Sequence, residues 1–311
     1  MLGPMHGDEL FGVVPNFSEG RRTDVIAAIV GALKVPGARV VYAEADRDHN
    51  RLDTTVLGGA EAVQASSLSA AAVAVELIDM REHEGGHPRM GAADVIPFMP
   101  VRGATNDDCV EVARGFGRRL AERLHVPVYL YERAALVPER ISLADVRRGQ
   151  YEGLRAAVAR GERLPDFGPS EIGKAGATAV GARSPLVAFN VYLDGTDESV
   201  AAEVAKIVRE SNGGLPSVRA IGFAVPERGG VVTVSMNLVD HEVTGLRTAF
   251  DEVARLAEER GMSVTDSEIV GLVPGSALAA DDVGYLRLVG FDAARQVLER
   301  LIDDEHEEGE R

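Results

Sequence analysis

Apolar positions in the first half of the chain recur at two different spacings. Val25, Ile26, Ile29, Val30 and Leu33 fall at helical intervals and predict a helix over residues 23–33. Thr23 or Asp24 would cap it and Pro36-Gly37 would stop it. Short apolar runs at 11–15, 38–43 and 54–57 read as strands around that helix. A second helix is predicted over 61–77 and a third over 107–124. The third carries Asp107, Asp108 and Glu111 early and Arg118, Arg119 and Arg123 late, a polarity that suits the helix dipole. Cys109, Val112, Ala113, Phe116 and Leu120 form its inward stripe, so the thiol is expected in the core. Strands at 95–99 and 127–131 complete an order β-α-β-β-α-β-α-β, an α/β layer structure.

The second half repeats the logic. Strands are predicted at 186–192, 218–225, 231–238 and 264–272, with helices at 197–211 and 244–260 between them. That is β-α-β-β-α-β, the ferredoxin-like pattern. Between the halves, residues 132–164 are charged and read as surface cover. Residues 164–183 are glycine-rich and read as a loop, either wrapped on a ligand or linking two domains. Residues 1–11 are expected to be a leader, 12–180 and 181–300 two subdomains, and 301–311 an acidic tail.

Composition narrows the function classes. The 311 residues are 45% hydrophobic, enough for a real core, and carry a formal net charge of −16. That charge disfavours nucleic acid and anionic membrane as partners, so any pocket for an anion must be locally basic. The single cysteine excludes an internal disulfide and a Cys-based zinc site. No secretory signal pattern and no 18-residue apolar window occur, so a cytoplasmic protein is expected.

The candidate chemistry centres on residues 82–100, EHEGGHPRMGAADVIPFMP. Gly85 and Gly86 free the backbone and Pro88 fixes it again, which holds His87 out from the scaffold. Arg89, two residues on, is expected on the same side. A proton-transfer group beside a fixed cation suits acyl-type transfer involving an anionic substrate. A second polar block, Glu44 to Arg51, contains Asp46, Asp48 and His49 but lacks the spacing of a calcium loop, and no metal is expected. Asn16-Phe17-Ser18-Glu19-Gly20 sits between a strand and a helix, a common place to bind a polar ligand.

Five segments carry a resemblance: VPNFSEGR (14–21), HEGGHPRMGAADVIPF (83–98), PVYLYE (127–132), PDFGP (165–169) and GATAVGARSPLVAFNVYL (176–193). In order and spacing they resemble the glutamate formimidoyltransferase family, in its single-domain form without a cyclodeaminase. The resemblance implies two ferredoxin-like α/β subdomains with facing mixed sheets (α+β overall), folate held between them, and a homodimer. It implies transfer of a formimino group from N-formimino-L-glutamate to N5 of tetrahydrofolate, the co-substrate, in histidine breakdown. A separate cyclodeaminase would then act on the product. Formyl transfer between 5-formyltetrahydrofolate and glutamate in the same site is the alternative, and a non-enzymatic folate-binding protein a further one.

The family motif makes His87, and not His83, the catalytic histidine. Glu44 stands where the family has an acidic residue, with Asp46 as the alternative two residues on. The folate-contacting loop maps to Gly168, Pro169, Ser170, Glu171, Ile172, Gly173, Lys174, Ala175 and Gly176. Arg89 or Arg183 is expected to pair with the carboxylates of the glutamate substrate. Asn16 and Asn190 are expected to hydrogen-bond the pterin edge.

Overall fold

The structure, a computed structural model, describes residues 9–302. The expected leader lies outside the described residues as far as residue 8, and the expected tail from residue 303 onward. The chain divides after Arg183 into two compact units.

The first unit opens with β1 (Leu10–Val13) and β2 (Asn16–Phe17), two pieces of one line interrupted at Pro15, which has no N–H to give to a ladder. Then come α1 (Thr23–Leu33), β3 (Ala38–Asp46), β4 (Arg51–Gly58), α2 (Ala60–Leu77) and β5 (Ala93–Arg102). β4 pairs antiparallel with β3 on one side and with β1 on the other, and β1 pairs antiparallel with β5. The order β3-β4-β1-β5 is the ferredoxin-like arrangement. The chain then extends this sheet through α3 (Asn106–Leu124), β6 (Val128–Glu132), α4 (Leu143–Val146), α5 (Gln150–Ala159) and β7 (Thr178–Ala182). β7 slots between β5 and β6, parallel to both. Seven strands thus form one mixed sheet.

Two local expectations change here. Neither Thr23 nor Asp24 caps α1. Arg22 is the N-cap, and the buried Glu19 carboxylate accepts the backbone N–H groups of Arg21 and Arg22, both at 2.9 Å. One side chain from the preceding turn therefore satisfies the free donors next to the helix start. Residues 178–182 were expected in the glycine loop but form β7. All five are buried, as an interior parallel strand requires, and Thr-Ala-Val-Gly-Ala has too little bulk to announce itself as a strand.

The helices lie side by side, α2 against both α1 and α3. Val25, Ile29 and Leu33 of α1 and Cys109, Ala113, Phe116 and Leu120 of α3 are buried in one core with Phe98 and Ile96 of β5. α3 starts with a capping box: Asp108 N–H donates to Thr105 Oγ1 at 3.2 Å, and Thr105 N–H donates back to the Asp108 carboxylate at 2.8 Å.

The second unit contains β8 (Val187–Leu193), α6 (Glu198–Val208), β9 (Val218–Val225), β10 (Val231–Leu238), α7 (Leu246–Glu258) and β11 (Val264–Val270). Its sheet runs β11-β8-β10-β9 and every pairing is antiparallel, the ferredoxin-like order again. Two short helices, α8 (Asp282–Tyr285) and α9 (Ala293–Gln296), follow. Its core joins Phe189 and Val191 of β8 to Val204 and Val208 of α6 and to Phe250 and Val253 of α7. Among the described residues no helix is long and apolar enough to cross a membrane.

Phe116 is fully buried and meets Phe98 edge-on with ring centres 5.2 Å apart. Phe116→Ala is expected to cost about 3–5 kcal/mol of stability, cavity included. Urea unfolding followed by circular dichroism checks this, and a loss under about 1 kcal/mol would show that the site collapses freely.

Candidate active site

Three stretches of backbone in the first unit meet too closely for side chains. These are residues 16–20, the turn 46–51 between β3 and β4, and the loop 83–91 that leads into β5. A Cβ on Gly20 would sit 1.9 Å from the Asp46 carbonyl oxygen, and one on Gly85 would sit 2.3 Å from that of His49. Only glycine fits at either place. Asn50 stitches the same segments together. It occupies the left-handed region at φ 50°, which asparagine tolerates. Its side-chain oxygen accepts from Gly20 N–H at 2.9 Å and its amide donates to the Glu84 carbonyl at 2.8 Å. Ser18 Oγ donates to the Gly91 carbonyl at 2.8 Å. A fourth segment closes the ring: Ala92 N–H donates to the Ala175 carbonyl at 2.8 Å and Gly91 bridges Gly176.

Beneath this assembly lies a charged network. Asp94 is fully buried and accepts from Arg51 Nη1 at 2.8 Å, Arg147 Nη2 at 2.5 Å and Met90 N–H at 2.7 Å. Burial opposes its ionisation, yet the two guanidinium groups and the Met90 N–H hold its carboxyl below the usual range. Arg51 Nε continues to Asp53 at 3.0 Å, and Asp53 in turn accepts from the Asn16 side-chain amide. Two atoms of the network stay unsatisfied while buried: Asn16 Oδ1 and Arg147 Nε. An unmet acceptor and an unmet donor at its two ends suit a polar ligand.

His87 stands part-exposed beside this network. Its Nδ1 lies 2.7 Å from the Pro88 carbonyl oxygen, which can only accept. The proton is therefore on Nδ1, and Nε2 keeps its lone pair. Burial, followed by the charges of Arg51 and Arg147, pushes the imidazole down to about 3, against the opposing pull of Asp94 and the Pro88 carbonyl. A neutral ring held in one tautomer is ready to take up a proton transiently.

The other expected residues fall in different places. The Asp46 carboxylate meets the ring of His49, not that of His87, with Oδ2 at 2.5 Å from Nδ1. Glu44 accepts from the Tyr42 hydroxyl at 2.6 Å. Neither carboxylate is hydrogen-bonded to His87. His49 instead reaches it, the two rings meeting edge to face with centres 6.2 Å apart. Arg89 is buried, and its fork grips Glu152 at 2.7 and 2.9 Å, with further bonds to Gln150 and the His83 carbonyl. It was expected beside His87 and ready for a substrate carboxylate, but its donors are turned inward to hold the loop.

Gly168 to Gly176 lie wholly in the first unit, ahead of β7. Ile172 and Ala175 are buried, Met80 N–H donates to the Lys174 carbonyl at 2.7 Å, and Lys174 Nζ donates to the Glu76 carbonyl at 3.0 Å. Pro169, Ser170, Glu171 and Gly173 are exposed on the same loop. Arg183 ends the first unit, its N–H donating to the Phe98 carbonyl at 3.0 Å. Asn190 belongs to the second unit, on β8 between Ser235 and Glu268. Among the described residues no group of three His, Cys, Asp or Glu side chains is gathered as a metal would need.

Sequence reasoning missed Arg51, Asp53, Asp94 and Arg147 as site residues. Arg51 and Asp53 carried one signal: two opposite charges at strand spacing in a run otherwise uncharged. Arg147 carried none, because it stands among the many arginines of a surface segment.

His87 is expected to stay neutral from about pH 8 down to about pH 5, a range in which an ordinary histidine would titrate. Nitrogen chemical shifts of a ring-labelled sample check this, and a midpoint near 6.5 would refute it. As pH falls below 6.5 the unfolded chain takes up a proton at His87 that the folded chain refuses. Stability from this residue is therefore full above 6.5 and is lost progressively as pH falls toward 3.

Comparison with known proteins agrees across both units. Residues 10–183 match the formiminotransferase domain, N-terminal subdomain, and residues 188–288 match the formiminotransferase domain. A glutamate formimidoyltransferase of Streptococcus pyogenes is 41% identical over 288 residues, covering 92% of this chain and 96% of that one. One from Thermoplasma acidophilum is 42% identical over 294 residues, covering 93% and 96%. The formimidoyltransferase-cyclodeaminase of Rattus norvegicus is 46% identical over 278 residues, covering 87% of this chain but 51% of its own length. The chain belongs to the formiminotransferase family.

Proposed function

We propose that this protein is a glutamate formimidoyltransferase, moving the formimino group of N-formimino-L-glutamate to N5 of tetrahydrofolate and releasing L-glutamate. The observation that carries this reading is similarity to two glutamate formimidoyltransferases along nearly their whole length. The placement of His87 supports it. Histidine breakdown supplies such a donor, and we place the protein there, in the cytoplasm and as a homodimer.

In this reading N5 attacks the formimino carbon, which is electrophilic when its own nitrogen is protonated. The adduct is tetrahedral. The proton on N5 leaves to His87 Nε2, the C–N bond to glutamate breaks, and the departing nitrogen keeps the electron pair and gains a proton. His87 can receive because its Nδ1–H is committed to the Pro88 carbonyl. Holding two substrates in line supplies a further part of the acceleration. Arg147 Nε and Asn16 Oδ1, buried without partners, are suited to a carboxylate and to a pterin N–H respectively. The exposed part of the loop from Gly168 to Gly176 is assigned to folate, with Lys174 near an anionic tail. Arg183 and Asn190 remain candidates for substrate contact. Glu44, held by Tyr42, is assigned a place at the rim.

Two assays test this. Tetrahydrofolate is mixed with N-formiminoglutamate in one and with N-formylglutamate in the other, and glutamate is measured. Glutamate from the formimino donor alone is expected. Release only from the formyl donor would move the function to formyl transfer, and folate binding with neither release would make the protein a folate binder. In the first assay His87→Ala is expected to lose ~10²–10⁴ in kcat with folate still bound. Folate affinity falling in step with rate would make His87 a binding residue instead.

A further inference from the structure

We infer that His49, backed by Asp46, is a second proton-transfer group of this site, working opposite His87. The inference rests on the transferase reading and deepens it. Its first support is tautomer. Asp46 Oδ2 is a carboxylate oxygen 2.5 Å from His49 Nδ1, so Nδ1–H donates to it and Nε2 is left available. His49 Nε2 has no protein partner among the described residues, and the side chain is 42% exposed, open to a substrate. The carboxylate is fixed from its other side, since Asp46 Oδ1 accepts the backbone N–H groups of Asp48 and His49, both at 2.9 Å. A carboxylate that orients an imidazole through Nδ1 and leaves Nε2 to the reaction is a recurrent catalytic pairing.

The second support is position. The rings of His49 and His87 meet at 76° with centres 6.2 Å apart, and the two loops cannot drift apart easily. Gly86 N–H donates to the Asp48 carbonyl at 3.2 Å, and Gly85 lies against the His49 carbonyl where no side chain fits. The third support is charge. A proton on His49 would face the Asp46 carboxylate, whereas a proton on His87 would face Arg51 and Arg147. The reaction moves two protons: one leaves N5, and one reaches the glutamate nitrogen as the C–N bond breaks. The geometry assigns the first task to His87 and the second to His49. Both reset by exchange with solvent, so no proton is gained or lost over the cycle.

The test compares wild type with His49→Gln, His49→Ala, Asp46→Asn and Asp46→Asn/His49→Gln in the formimino assay. Glutamine can still donate to Asp46 and fill the space, but it carries no proton between substrates. Both His49 variants are expected to lose about 10²-fold in kcat, with KM for either substrate changed less than about threefold. Asp46→Asn should lose less, and the double variant should be no slower than His49→Gln, because Asp46 works through His49. Melting temperature and folate binding are measured on each variant to show that the loops remain in place. His49→Gln within about threefold of wild-type kcat would overturn the inference and leave His49 a loop-positioning residue. Fully additive losses in the double variant would overturn it too. Wild type with no turnover would overturn the transferase reading itself, a result distinct from an active wild type with an equally active His49→Gln.

Discussion

The buried carboxylate of Asp94 is the constraint on which the site depends. It stands at the start of β5, fully removed from solvent, and three donors converge on it: Arg51 from β4, Arg147 from the segment just before α5, and the backbone of Met90. Burying a carboxylate with two guanidinium groups carries a large desolvation cost, and replacing such a cluster by apolar groups often stabilises a protein. Its retention here makes sense through what it fixes. Met90 N–H ties the exit of the His87 loop to the sheet. Arg147 brings a surface segment inward. Arg51 passes the charge to Asp53 and so to Asn16. Burial, with the positive charge of Arg51 and Arg147 adding to it, keeps the His87 ring neutral and its Nε2 lone pair free.

A second constraint is backbone proximity. The turn after β3, the strand-to-helix turn at Ser18–Gly20 and the histidine loop touch through main-chain atoms, so their relative placement does not depend on long, flexible side chains. Catalytic groups gain most when held close to their working geometry by parts that do not move. Asn50 and Gly85 do this for His49, and Pro88 with Met90 does it for His87. The rings of His49 and His87 are then short extensions of a backbone knot.

Much of this was legible in the chain. The helices were set by apolar spacing, and both ferredoxin-like halves followed from the order of elements. The loop around His87 was marked by its own punctuation, Gly85-Gly86 before and Pro88 after. What escaped had a physical reason in each case. β7 has little apolar bulk in Thr-Ala-Val-Gly-Ala, and at Gly181 the Tyr131 ring leaves no room for a side chain. The partnership of Arg147 with Asp94 spans 53 residues and has no local trace. Arg89 was placed by strand alternation, but the segment is a loop, and the Glu152 carboxylate holds its guanidinium fork. Asp46 stood only as the alternative to Glu44 for an acidic residue, because the folded turn is needed to show that its oxygen meets His49.

The three histidines of the region show how neighbours give one ring type different tautomers and surroundings. His83 accepts from Arg89 Nε at its Nδ1, at 3.3 Å, so its proton must sit on Nε2, which donates to the Asn50 carbonyl at 3.1 Å. Both nitrogens are then committed, and burial, with Arg89 adding to it, lowers the affinity of the ring for a further proton. His83 is therefore a tie between the loop and the turn. His87 and His49 have the opposite tautomer, each with Nδ1–H given to an oxygen and Nε2 left over. They differ in what that oxygen is. A neutral carbonyl orients His87 without favouring its charged form strongly, whereas the ionised Asp46 orients His49 and would neutralise it once protonated. Asp46 can do so because it remains ionised. Burial works against its charge, but the His49 and Asp48 backbone N–H groups and the His49 ring outweigh it and hold its carboxyl below the usual range. Sequence alone presents these residues as three similar histidines in a polar region. The atom facing each Nδ1, a donor at His83 and an oxygen acceptor at His87 and His49, separates the structural tie from the two rings that keep Nε2 free.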